Sequence, residues 1–148
     1  MKKRNIAAAI LLAGSISTAP AFAGLDTDSA TVSMSIGLYA SLTGLDDFTL
    51  TTSDADGSAG AVYAGSDSFN LESNGQVRVS LAGSDLSAGL DSVDTTFSMD
   101  GEGTTIDTTS SSVHNASHSV SAQATLGDIS SQQAGAYSSV ITLTVSAI

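Results

Sequence analysis

The chain has 148 residues, enough for one domain and little else. Four Lys and Arg stand against fifteen Asp and Glu, a formal net charge of −11. Cysteine is absent, which excludes disulfides, thiolate metal sites and cysteine nucleophiles, and Trp is absent too.

Three of the four cations are Lys2, Lys3 and Arg4, and every acidic residue lies beyond residue 24. From there onward one basic side chain, Arg78, faces all fifteen acids, a net charge of −14. That argues against nucleic acid as a partner, because phosphate binding needs clustered Lys and Arg. Residues 1–23 carry the three parts of a secretory signal peptide: the basic start, an apolar run from Ile6 to Leu12, and an Ala21-Phe22-Ala23 cleavage site. Cleavage there leaves 125 residues from Gly24. The apolar run is too short to span a bilayer, and no later stretch approaches the necessary length, so no membrane span is expected. Without lysine after residue 4, side-chain amine cross-links are excluded as well.

The rest is rich in Ser, Thr and Gly, and its apolar residues alternate with polar ones in several separate runs, which argues for strands rather than disorder. In the first run Ala30, Val32, Met34, Ile36, Leu38, Ala40 and Leu42 all lie on one face of an extended chain. This is about twice the usual strand length, and Gly37 is the expected break. A short strand is expected over Asp47–Thr51, followed by a polar loop from Ser53 to Gly60. Strands over Ser68–Leu71 and Val77–Leu81 flank Asn74-Gly75, which predicts a hairpin because both residues tolerate positive φ. Further strands are expected over Thr95–Met99, near Thr104–Thr108 after the Asp100-Gly101 turn, and around Val120–Leu126. Ser110–Ser117 reads as a loop, and Tyr137–Ile148 as the last strand.

Seven to nine short strands with regular turns and no helix predict an all-β fold, an immunoglobulin-like two-sheet sandwich, with a closed barrel as the alternative. Residues 24–37 form an N-terminal extension and 38–148 the sandwich domain. The extension is a spare amphipathic strand of the type that donor-strand complementation uses, in which main-chain hydrogen bonds give affinity and alternate side chains fill pockets.

The ending Gln133-Ala134-Gly135-Ala136-Tyr137-Ser138-Ser139-Val140-Ile141-Thr142-Leu143-Thr144-Val145-Ser146 resembles that of cysteine-free fimbrial subunits assembled by the chaperone–usher route. The start, Ala30 to Ile36, resembles the N-terminal extension of the same subunits. The likeness covers about 30 residues at the two ends, and the middle matches no named motif. It implies a sandwich that lacks one strand. The groove is filled first by a periplasmic chaperone and then, at the outer-membrane usher, by the extension of the next identical or related subunit. Carried over to this chain, Ala30, Val32, Met34 and Ile36 are the donor side chains, and Tyr137, Ile141, Leu143 and Val145 belong to the acceptor groove, with Tyr137 at the start of the last strand. Burial of three or four such side chains, at roughly 1.5–3 kcal/mol each, makes a strong non-covalent joint. The resemblance implies an exported, surface fimbrial subunit that supports adhesion or biofilm.

The chemical motifs are weak by comparison. Asp54-Ala55-Asp56-Gly57 begins like a calcium loop, but Ser58 and Gly65 stand where the fifth and twelfth ligands belong, leaving at most a loose site at Asp54 and Asp56. His114 and His118 share i, i+4 spacing with no acid near in sequence, so they are expected in an exposed loop rather than on a metal. No G-x-S-x-G elbow accompanies the many serines, and no catalytic residue, metal or cofactor is expected. The other reading is a self-contained secreted or surface sandwich, a matrix or carbohydrate-binding module. The few aromatics, most of them at core positions, count against sugar stacking.

Overall fold

A computed structural model describes residues 28–54 and 57–148. The expected signal peptide, residues 1–23, lies outside the described residues. The chain divides into two units, the first ending at Met34 and the second running from Ser35 to Ile148. In the first, residues 28–34 carry no regular structure and are exposed.

The second unit is all-β, with nine strands and one 3-10 turn, Ile129–Ser131, among the described residues. The strands are β1 (Ala40–Thr43), β2 (Val62–Ser73), β3 (Val77–Gly83), β4 (Leu86–Ala88), β5 (Asp91–Val93), β6 (Thr95–Met99), β7 (Thr105–Asp107), β8 (His114–Thr125) and β9 (Ile141–Ala147). They form a four-stranded sheet in the order β1-β2-β8-β6, a three-stranded sheet β7-β3-β9, and the small ribbon β4-β5. Every pairing is antiparallel. No described helix is long and apolar enough to cross a membrane.

The period-two pattern explains the layers. Phe69, Leu71, Met99 and Val120 of the first sheet meet Val77, Val79 and Leu81 of the second in one buried cluster. The residues between them turn outward: Ser68 and Glu72 on β2, Arg78 on β3, and Ser119 on β8 are exposed. The backbone of β2 is matched along its full length by β8, from Val62 opposite Thr125 to Ser73 opposite His114.

Several expectations change. Asn74-Gly75 is not a hairpin turn. β2 and β3 lie in different sheets, and neither residue has a positive φ, so the connection crosses from one layer to the other. Asp47–Thr51 is not a strand. Only Thr51 makes a ladder contact, a bridge to Ala64, because the Thr49 backbone passes directly over Gly65. Ser110–Ser117 is only partly loop, since β8 begins at His114. The last strand starts at Ile141, so Tyr137 precedes it rather than opening it. The hairpin β4-β5, around Gly89 at φ 67°, was not visible in the alternation.

Candidate functional site

The edge strand β1 begins, and the edge strand β9 ends, at the same pole of the sandwich. Ala40 pairs with Ser73 and Ala147 with Val77, so both flank the β2–β3 crossing. From there β1 and the following residues run outward along one side of a seam, while β9 runs back along the other. Ala40 and Leu42 on β1, and Ile141, Leu143 and Val145 on β9, are only partly buried against the core. On the central strand β3, Val79 and Leu81, the partners of Val145 and Leu143, are buried, as is Val77. Among the described residues β9 pairs with β3 alone, and its outer edge carries no partner strand.

At the far end the seam opens into a cleft of about 960 Å³. One wall is the stretch from Leu45 to Leu50, with Phe48 half-buried, and the other runs from Gln132 to Ile141. Its floor is Ala122 and Ala124 of β8, with Phe97 of β6 and Val93 of β5 beside them. Small side chains on the inner face of β8 are one physical source of this depth, because two alanines fill little of the space between two sheets. The first wall is held by the Thr51–Ala64 bridge, whose two hydrogen bonds are both 2.9 Å, and by the Thr49 backbone lying on Gly65. The second wall is fixed by the Tyr137 hydroxyl, which donates to the Gln133 carbonyl at 2.8 Å, and by paired Ser87–Ser138 backbone bonds of 3.0 and 3.1 Å.

Of the acceptor residues read from sequence, Tyr137 and Ile141 line this cleft. Leu143 and Val145 lie further along β9, against the core at the narrower part of the seam. The donor residues Val32, Met34 and Ile36 are 94%, 83% and 76% exposed, and Ala30 is exposed as well. Sequence reasoning missed Leu45, Phe97, Ala122 and Ala124 as lining residues. The last three lie in the strands expected over Thr95–Met99 and Val120–Leu126, but the cleft they border comes from tertiary packing that a local pattern does not show.

Two separate ion pairs stand out among the described residues. Arg78 donates to Asp107 through Nε and Nη2, both at 2.6 Å, across the outer face of β3 and β7. The hydrogen bond to Asp107 raises the guanidinium pKa, and the same bond holds the Asp107 carboxyl below its ordinary value. His118 is not in an exposed loop. It lies on β8 with its ring stacked on Phe69 at 5.5 Å, and its Nδ1 is 2.7 Å from Asp100 Oδ2. Burial tends to raise the Asp100 carboxyl, but hydrogen bonds from His118 and from the Ser119 N–H outweigh it and leave the group below its usual range. Asp100 and Gly101 both have positive φ (51° and 77°), which suits the tight turn closed by the Glu102 N–H bonding to Met99 O at 3.0 Å. His114 instead contacts the Ser110 carbonyl at 2.8 Å, so the two histidines do not share a partner. No group of three or more metal-ligating side chains occurs among the described residues. Asp54 accepts from the Ser58 hydroxyl at 2.7 Å, and Asp56 lies outside the described residues.

Compared with protein-family models and with characterised proteins, the chain matches none.

Proposed function

We propose that the protein is an exported structural subunit that polymerises by strand donation. Residues 30–36 of one copy add to the free edge of β9 on the next and seat Val32, Met34 and Ile36 along the seam and its cleft. The observation that carries this reading is the character of the β9 edge. Natural edge strands are blunted by shortness, charge, proline or a covering element. β7, the opposite edge of the same sheet, is three residues long and carries Asp107. β9 is seven residues long with no charge and no proline, and it borders an apolar cleft. Such an edge is a template for pairing, and the same chain carries an exposed strand-length segment with apolar side chains at every second position.

On this reading the incomplete sandwich is of the immunoglobulin-like, fimbrial kind, completed by its neighbour. A periplasmic chaperone covers the seam before assembly, an outer-membrane usher orders the exchange, and the product is a surface fimbria serving adhesion or biofilm. The polymer itself is the function, with no reaction catalysed.

The test compares the chain from Gly24 with a truncation starting at Gly37, the latter with and without a peptide of residues 25–36. Strand donation predicts an SDS-resistant ladder for the longer chain and a truncation that is unstable until the peptide restores it. A folded monomer indifferent to the peptide overturns the proposal.

A further inference from the structure

We infer that Asn74 is the positioning residue that commits the donor segment to another copy rather than to its own sandwich. This rests on the strand-donation reading above and concerns how that site is regulated. For residues 30–36 to fill the seam of their own domain, the chain must reverse between Ile36 and Ala40, where β1 begins. Only Gly37, Leu38 and Tyr39 are available for the reversal. Three residues suffice for a common hairpin loop, so length does not prevent it.

Those three residues are already committed elsewhere. The Tyr39 N–H donates to Asn74 Oδ1 at 2.7 Å, and the Asn74 N–H donates to Tyr39 O at 3.1 Å. The Asn74 side-chain N–H also donates to Gly37 O at 2.9 Å. These bonds extend the β1–β2 ladder beyond its last pair, Ala40 with Ser73, and hold residues 37–39 against the crossing instead of letting them turn. Three-residue hairpin loops need one residue in the left-handed region. Gly37 is the residue suited to it, yet its φ is not positive. Leu38 adds a second restraint, because its Cδ1 would come within 2.8 Å of a Cβ placed on Gly75. The crossing itself is fixed by the buried Ser73 hydroxyl, which donates to Gly75 O. Since Asn74 has an ordinary negative φ, its side chain is not required by the crossing's own conformation. Its amide is spent on residues 37–39.

The experiment uses the chain from Gly24 as wild type, Asn74→Ala and Gly75→Ala, at matched folded fraction by circular dichroism. Size exclusion, unheated SDS gels and capture of a labelled peptide of residues 28–36 are read on each. Asn74→Ala is expected to raise the ratio of monomer to polymer by about tenfold or more, because the two side-chain hydrogen bonds opposing the reversal are lost while the backbone bond to Tyr39 O remains. The resulting monomers are expected to refuse the peptide, their seam being occupied by their own strand. A merely destabilised protein would show more peptide capture or more unfolded chain, not a closed monomer. Gly75→Ala removes no polar group and displaces only the Leu38 side chain. It is expected to move the partition in the same direction by a smaller factor, and it decides the question if Asn74→Ala does not fold. Folded variants that polymerise like wild type, or monomers that still capture peptide, overturn the role of Asn74 while leaving strand donation standing. A wild-type chain that neither polymerises nor takes up peptide overturns the strand-donation reading itself.

Discussion

Replacing Gly65 with alanine tests how the cleft wall is built. A Cβ at this position on β2 would lie 2.5 Å from the Thr49 carbonyl oxygen, 3.0 Å from Leu50 Cδ2 and 3.1 Å from the Thr49 carbonyl carbon. Two of the three nearest atoms are backbone, so rotation of a flexible side chain offers no escape. The segment from Leu45 to Thr51 must lift from β2. Lifting it breaks the two hydrogen bonds of the Thr51–Ala64 bridge, at about 1 kcal/mol each. It also partly exposes Phe48 and Leu50, for a total loss of about 2–4 kcal/mol. For a domain of this size that lowers Tm by on the order of 10–20 °C. Gly135 is the control: it lies in the opposite wall with nothing within 4 Å of an added Cβ and no positive φ. Gly135→Ala is expected to stay within about 0.5 kcal/mol of wild type. Urea and thermal denaturation of both variants read the difference directly. Equal stabilities would refute the claim that close approach at Gly65 holds this wall.

Three other outcomes follow from named contacts. Because the Asp100 carboxyl is held below its ordinary value, its contribution is complete above the unfolded carboxylate range and is lost as pH falls through its lowered folded value. Asp100→Asn is therefore expected to flatten the acid limb of a stability–pH curve, measured by urea midpoints between neutral pH and pH ~2. Met34→Ala should leave the stability of a single subunit within about 0.5 kcal/mol, since Met34 is 83% exposed. On the strand-donation proposal it should weaken the joint between subunits by about 2 kcal/mol, seen as roughly 30-fold faster dissociation of SDS-resistant oligomers. Arg78 is the one basic side chain beyond residue 4, and it sits on β3 between β7 and β9 with its guanidinium on Asp107. Trypsin should leave the folded chain from Gly24 intact and cut it once, at Arg78, after unfolding, as mass spectrometry would show.

How much was legible depends on where the signal is stored. β6 runs over Thr95–Met99, the bounds its alternation implied, because both faces of that strand carry the expected residue types. β3 and the second half of β8 were legible for the same reason. The first half of β2 was not, since Gly65 and Asp67 break the pattern. Gly65 is there to admit the Thr49 backbone, and Asp67 to accept the Asp46 N–H at 2.6 Å. Both causes lie 16 or more residues away in the chain, beyond the reach of a local pattern. Asn74-Gly75 misled for a related reason. A side chain suited to a tight turn is equally suited to capping a distant backbone, and here it serves residues 37–39. His118 looked exposed because its neighbours are Ser and Asn. Its stacking on Phe69 and its bond to Asp100 come from strand register, which composition does not encode.

The seam was half legible. Alternation at Ile141, Leu143 and Val145 predicts inward-facing side chains, and they do face the core. It does not predict that they remain half-exposed while Val79 and Leu81, opposite Val145 and Leu143, are buried. That contrast arises because, among the described residues, β3 flanks one side of β9 and no strand flanks the other. With no lysine after residue 4, the usual positively charged guard for an edge is not available to this chain. Its acids guard β7 through Asp107 and are absent from β9. Beyond residue 23 the chain carries −14, yet β9 is long, uncharged and free of proline, so this edge lacks the usual protections. On the strand-donation proposal, an incoming strand would supply what the edge lacks, completing the ladder and covering Ile141, Leu143 and Val145 in one step.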